Sequence, residues 1–128
     1  MPLKTAVREL WLPGVKLVEI ERFTDERGLF HELMRLDWKE LLGDDKIVQV
    51  NMSVTYPGIV RAWHRHLRGQ VDYFFVAVGS AKICAYDEQT RHLVEVVLSE
   101  HKPAILRVPG HYWHGFKALG VKPTYLIY

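Results

Sequence analysis

One cysteine, Cys84, is all that the 128 residues contain, so no internal disulfide can form and a hydrophobic core must hold the fold. Lying in the alternating run Lys82-Ile83-Cys84-Ala85-Tyr86, it reads as a buried structural thiol of a protein kept in a reducing compartment. No apolar run approaches the length that spans a membrane, and Met1 to Trp11 lack the apolar centre of a signal peptide. A cytoplasmic protein without a membrane partner is expected. A dominant charge is missing too: 17 basic and 15 acidic residues leave a net charge of +2, with the two signs interspersed. Without a basic stretch to follow a polyanion, nucleic acid is not expected as a partner. Repeats and low-complexity segments are absent, and the length leaves no room for a second domain. Residues 1–128 therefore read as a single domain, 48% hydrophobic and large enough to build a core.

What the chain does have is short runs of β-forming residues. They are Val15 to Glu21, Leu29 to Arg35, Lys46 to Thr55, Ile59 to His64, Val71 to Val78, Ala81 to Tyr86, His92 to Leu98, Ala104 to Val108, Trp113 to Leu119 and Thr124 to Tyr128. Pro13-Gly14, Asp25 to Gly28, Tyr56-Pro57-Gly58, Gly79-Ser80, Asp87 to Thr90 and Pro109-Gly110 punctuate them at intervals suited to antiparallel strands. This is the pattern of an all-β sandwich or barrel. One short, peripheral helix is expected, with Asp37 as its cap, Glu40 reaching back, and Gly43 ending it after Leu41 and Leu42.

The residues that carry chemistry centre on His64-Arg65-His66, with Asp72 and His114 further along. Two histidines one residue apart on an extended strand project to the same side, here toward a barrel interior. Three imidazoles and a carboxylate make His64, His66, Asp72 and His114 a possible set of ligands for a divalent transition metal. The same histidines without a metal serve as acids and bases, and no cofactor is favoured. The order of His64, His66, Asp72 and Gly79, followed by Pro109-Gly110 and His114, resembles the two motifs of the cupin superfamily. That resemblance implies a double-stranded jelly-roll barrel.

Four further motifs are narrower: Asp25-Glu26-Arg27-Gly28-Leu29-Phe30-His31-Glu32, Gln49-Val50-Asn51-Met52-Ser53, Gly58-Ile59-Val60-Arg61-Ala62-Trp63-His64 and Val108-Pro109-Gly110-His111-Tyr112-Trp113-His114-Gly115-Phe116. In order and spacing they resemble the dTDP-4-dehydrorhamnose 3,5-epimerases, from about Gly14 onward. The resemblance implies an isomerase of polysaccharide biosynthesis that works as a homodimer on a nucleotide-linked 4-keto sugar. It makes His64 the base that takes a proton from the carbon next to the ketone. Arg27 and Arg61 would hold the diphosphate, and Glu32, Gln49 and Asn51 would bind polar ligand groups. Phe30 would pack on the ring or base, and His114 would be a further site histidine.

Two features depart from that pattern. Counted back from Gly79, Asp72 takes the place of a lysine that faces the developing enolate, and a carboxylate there has the wrong sign. Full-length relatives continue past Tyr128 with a tyrosine acid and an aspartate, for which Tyr125 or Tyr128 are the available substitutes. His66 as a second catalytic histidine gives an alternative, since the 3,4-ketoisomerases of related sugars also carry two histidines one residue apart. A metal-binding cupin and a non-catalytic sugar-nucleotide binding protein are the other readings. His111 is either a rim residue or a partner of His114, and Trp63 and Trp113 flank the proposed site as core, dimer or pocket residues. His31, His92 and His101 show no partner spacing and are assigned nothing.

Overall fold

The computed structural model describes residues 6–128. Among them are twelve strands and one helix. A six-stranded sheet joins β1 (Arg8–Glu9), β2 (Lys16–Glu19), β10 (Ala104–Pro109), β7 (Val71–Val78), β12 (Thr124–Ile127) and β5 (Met52–Thr55), in that spatial order. A four-stranded sheet joins β6 (Val60–His64), β11 (Trp113–Leu119), β8 (Ser80–Asp87) and β9 (His92–Ser99). The strands β3 (Phe23–Asp25) and β4 (Gly28–Phe30) form a separate hairpin. Every pairing is antiparallel, and the chain crosses repeatedly between the two large sheets, which is the jelly-roll arrangement expected.

Alternation sets the two faces of each strand. On β7, Phe74 and Val76 face inward and join Ile83, Val94, Leu106, Val108 and Leu126 in a core between the sheets. Phe75 points the other way and meets Val18, Ile20 and Ile105 in a second cluster on the outer side of the six-stranded sheet. Trp38 and Leu41 cover that cluster, 3% and 0% exposed.

This cover explains where the strands fall short of the sequence pattern. The strands β7 and β11 have the expected bounds, but of Leu29 to Arg35 only Leu29 and Phe30 pair, in a strand that begins at Gly28, and of Lys46 to Thr55 only Met52–Thr55 forms a strand. Met34, Trp38 and Leu41 pack against a sheet face instead of entering a ladder, whereas Leu36, Val48 and Val50 stay exposed. The helix α1 (Lys39–Leu42) is short, and Gly43 ends it at φ 55° with its N–H donated to the Lys39 carbonyl, 2.8 Å away. Asp37 does not cap it. Its carboxylate accepts Arg35 Nε at 2.9 Å and Nη2 at 2.8 Å, and Trp38 holds the N-cap position without capping the helix through its side chain. The helix is peripheral, as expected, and Leu41 on it and Trp38 at its N-cap seal the second cluster.

Candidate functional site

His64 ends β6 directly opposite His114 on β11, so both side chains leave the sheet on the same side. Their ring centres are 6.0 Å apart. His66 lies beyond the strand, where its N–H donates to the Gly110 carbonyl at 2.7 Å. It reaches the same place by a different route, with its ring centre 5.3 Å from that of His114. Asp72, on the inward face of β7, stands between the two. Its Oδ2 lies 3.1 Å from His66 Nε2 and 3.5 Å from His114 Nε2, and its Oδ1 accepts Gln70 Nε2 at 3.1 Å.

The approach of these segments depends on two glycines. A β-carbon on Gly110 would lie 2.1 Å from the Gln70 carbonyl oxygen and 2.8 Å from His66 Cβ. One on Gly115 would lie 2.4 Å from Ala62 Cβ, where β6 carries an extra residue against β11. That bulge reverses the parity of β6. Arg61 and His64 pair with Phe116 and His114, which share a face, so Arg61 emerges on the histidine side. Its Nε donates to Thr55 Oγ1 at 2.8 Å.

His114 is the most enclosed member, its side chain 9% exposed. Burial pushes its imidazole below the ordinary histidine pKa; the Asp72 charge works against that depression, and His66 and His64 add to it. The ring is therefore neutral at pH 7, able to accept a proton or bind an ion. Its Nδ1 is buried, and the Tyr112 main chain beside the ring also works against the depression.

Beside this cluster is a cavity of about 510 Å³, with Gln49, Asn51, Asp72, Phe74 and Tyr128 in its wall. Asp72 and Phe74 belong to both, since the Phe74 ring lies 5.6 Å from that of His114. The 45–51 segment forms one side. It is anchored by Asp45, which accepts Tyr73 Oη and, at 2.9 Å, Arg107 Nε. Burial alone would raise the Asp45 pKa, but the Arg107 and Tyr73 bonds outweigh it and hold the carboxyl below its ordinary value.

Of the residues expected to form the site, His64, His66, Asp72 and His114 come together. Gln49 and Asn51 line the cavity, with Gln49 Nε2 donating to Asn51 Oδ1 at 2.9 Å. The four-ligand metal set is reduced to three: His66, Asp72 and His114 bring donor atoms within 4.8 Å of one another, and His64 is not among them. Arg27, Phe30 and Glu32 do not line the cavity. Arg27 is 86% exposed and bound to Asp25 at 2.7 Å in its own hairpin turn, Phe30 is 62% exposed, and Glu32 sits 4.0 Å from Arg35. Tyr125 is on the face of β12 opposite the buried Leu126, while Tyr128 reaches the cavity. Gln70 and Phe74 were not picked out from the sequence. The signal was present, because each lies two residues from Asp72 and so shares its face on an extended strand.

The sequence model of the family described as dTDP-4-dehydrorhamnose 3,5-epimerase matches residues 9–128. The chain belongs to this family. It is 40% identical over 124 residues to a protein of Haloferax volcanii described as a probable low-salt glycan biosynthesis epimerase, Agl13, covering 91% of this chain and 78% of that one. It is 34% identical over 122 residues to the spore coat polysaccharide biosynthesis protein SpsL of Bacillus subtilis, again covering 91% and 78%. The crystal structure of a 3,5-epimerase from Legionella pneumophila in complex with dTDP-4-keto-L-rhamnose superposes with a TM-score of 0.84 at 25% identity, covering 96% of this chain and 70% of that one. The chain is thus an isomerase of the dTDP-sugar epimerase family with that family's fold. Epimerisation by proton transfer beside a ketone calls for no organic cofactor. Among the described residues no helix is long and apolar enough to cross a membrane.

Proposed function

We propose that this epimerase-family member removes a proton from the carbon next to the ketone of a dTDP-linked 4-keto-6-deoxyhexose, with His64 as the base. The observation that supports this most is the convergence of His64, His66 and His114 around Asp72 at the edge of a cavity large enough for a sugar ring. His64 is the one imidazole of the three that is not held by Asp72, so its ring is free to take a proton from a ligand. Arg61, turned to the same face by the bulge, binds a diphosphate oxygen through its guanidinium fork. Gln49 and Asn51 bind polar groups of the sugar or base, and Tyr128 on the cavity wall is the candidate proton donor. The substrate and the lone cysteine fit a reducing, cytoplasmic setting.

Arg27, Phe30 and Glu32 enter this scheme through a homodimer. The hairpin of β3 and β4 presents Leu29 and Phe30 to solvent, and Val48, Val50, Met52 and Val54 expose a second apolar row along the edge strand β5 and its approach. A second copy that covers these surfaces brings its hairpin to the mouth of this site, where Arg27 and Glu32 are polar contacts and Phe30 packs on the ligand.

A specific observation favours a second reading: His66 is as close to His114 as His64 is, so two imidazoles are available on one side. That arrangement suits a 3,4-ketoisomerase. Incubation with dTDP-4-keto-6-deoxyglucose in heavy water separates the two. Deuterium at carbons 3 and 5 is expected for double epimerisation, and label at carbon 4 of a 3-keto product indicates the isomerase. His64→Ala lowers exchange about 10²–10⁴-fold, the usual worth of a positioned base. Tight nucleotide binding with no exchange at all would overturn the catalytic reading in favour of a binding protein.

A further inference from the structure

We infer that Glu88 is a positioning residue of the histidine site: one oxygen of its carboxylate joins Arg65 to Trp113 on the outer face of the four-stranded sheet, and this latch fixes His64 and His114 on the inner face. Arg65 Nη1 and Trp113 Nε1 both donate to Glu88 Oε2, each at 3.1 Å. The Arg65 guanidinium carbon in turn lies 4.3 Å from the centre of the Trp113 ring, so the three side chains close a triangle.

Its place in the chain gives the triangle its effect. Arg65 stands between His64 and His66, and Trp113 precedes His114. Trp113 pairs with Tyr86 and His114 with the buried Ala85, so the tryptophan leaves β11 on the side opposite the site. The ladder alone holds His64 weakly. Among the described residues β6 is an edge strand paired only with β11, and its five residues are all exposed. It ends at His64, after a bulge, and residues 65–66 lie beyond the ladder. Strand ends of this kind are where local opening costs least. Arg65 is thus the first side chain past the ladder, and its anchor sits in a well-bonded turn. Asp87 accepts the Gln89 N–H at 3.1 Å and Thr90 Oγ1 at 2.8 Å, and the Arg91 N–H donates to the Asp87 carbonyl at 2.7 Å.

The side chains of Arg65 and Glu88 are 29% and 65% exposed, and an ion pair so open to solvent contributes little to folding. Its use is geometric. Here the inference rests on the reading of His64 as the base, because proton transfer from carbon demands a tightly held distance to the reacting atom.

The test compares Glu88→Ala with Glu88→Gln, which keeps an acceptor oxygen at the same reach. With dTDP-4-keto-6-deoxyglucose in heavy water, Glu88→Ala is expected to lower kcat for exchange about 10–10²-fold, the cost of a reacting group displaced by up to about 1 Å, with KM and the denaturation midpoint unchanged. Glu88→Gln restores most of the rate. Arg65→Ala lowers it by a similar factor, and combining Arg65→Ala with Glu88→Ala lowers it no further, since both break one latch. In proton magnetic resonance spectra the imidazole signals of His64 and His114 shift in Glu88→Ala, whereas that of His31, held against Phe75 of the other sheet, stays in place. Unchanged kcat with unmoved His64 signals overturns the positioning role, and so does a loss that follows a lowered midpoint and persists in Glu88→Gln. If the unchanged protein exchanges nothing, the reading of His64 as a base fails by itself. Shifted His64 and His114 signals then keep the latch, and unmoved ones refute it too.

Discussion

At Gly110 a methyl group would press on the Gln70 carbonyl and on His66 at once, and neither is the movable end of a long side chain. The Gln70 oxygen is main chain, and His66 is held by its own bond to Gly110. Gly110→Ala is therefore expected to lower stability by about 1–3 kcal/mol, the range for an overpacked site, read as a lower denaturant midpoint. It also displaces His66, so the deuterium-exchange rate falls by more than a general loss of folded protein explains. A variant with unchanged midpoint and exchange would refute this account of the Pro109-Gly110 turn. Residue types and spacing were enough to collect the histidines, because each is a scarce, chemically distinct group. The direction of Arg61 was not legible. A period of two sends positions 61 and 64 to opposite faces, and only the extra residue packed against Gly115 brings them together. His66 carries the opposite lesson: alternation predicted its convergence with His64, yet a bond to a loop carbonyl produces it.

Among the elements, β7 and β11 were readable to the residue because β-forming residues run through them without a break and turn residues bound them. The stretch 31–51 was not. Met34, Trp38 and Leu41 obey a surface, the outer face of the six-stranded sheet, while Leu36, Val48 and Val50 stay exposed, and such a mixture leaves no periodic trace in so short a segment. Asp37 likewise had a cap's position but found Arg35 two residues away, a charged partner stronger than a backbone N–H. What keeps the 45–51 wall in place is Asp45 between Tyr73 and Arg107, an ion pair whose side chains are 23% and 15% exposed. Because the folded protein holds the Asp45 carboxyl below its ordinary pKa, the pair stabilises fully above that ordinary value, about 4. The contribution fades as the pH drops toward the lowered one. Asp45→Asn should cost about 1–2 kcal/mol at pH 7, allowing for the solvent that reaches the pair. The difference from the unchanged protein should shrink as the pH falls below 4. Denaturation at pH 7 and pH 3 checks the sign, and a difference that stays constant would show that the lost charge is not its source.

For the whole molecule, the pairing of β6 with β11 accounts for His64 and Arg61 and the cavity for Gln49 and Asn51, but Arg27 and Phe30 are left on an exposed hairpin. The sequence motif that holds them is as clear as the others, and the proposed homodimer would make their position outside the cavity wall a matter of assembly. A single sequence reports which residues a site needs without reporting which copy supplies them. Two exposed apolar features, the hairpin and the Val48 to Val54 row, are more than a monomer of this size usually leaves to water. The proposed two-fold arrangement would cover both in each copy at the same time. Val50→Lys places a charge in the middle of that row, 69% exposed and outside the paired part of β5, so the fold itself should survive. Sedimentation should show dimers for the unchanged chain and monomers for the variant, and the variant should lose exchange although His64 is intact. Mixing inactive Arg27→Ala with inactive His64→Ala then distinguishes the two possible origins of the hairpin. If each site takes Arg27 from the partner, mixed dimers contain one site with both residues intact, and part of the activity returns. If each site takes Arg27 from its own chain, no site is whole and the mixture stays inactive.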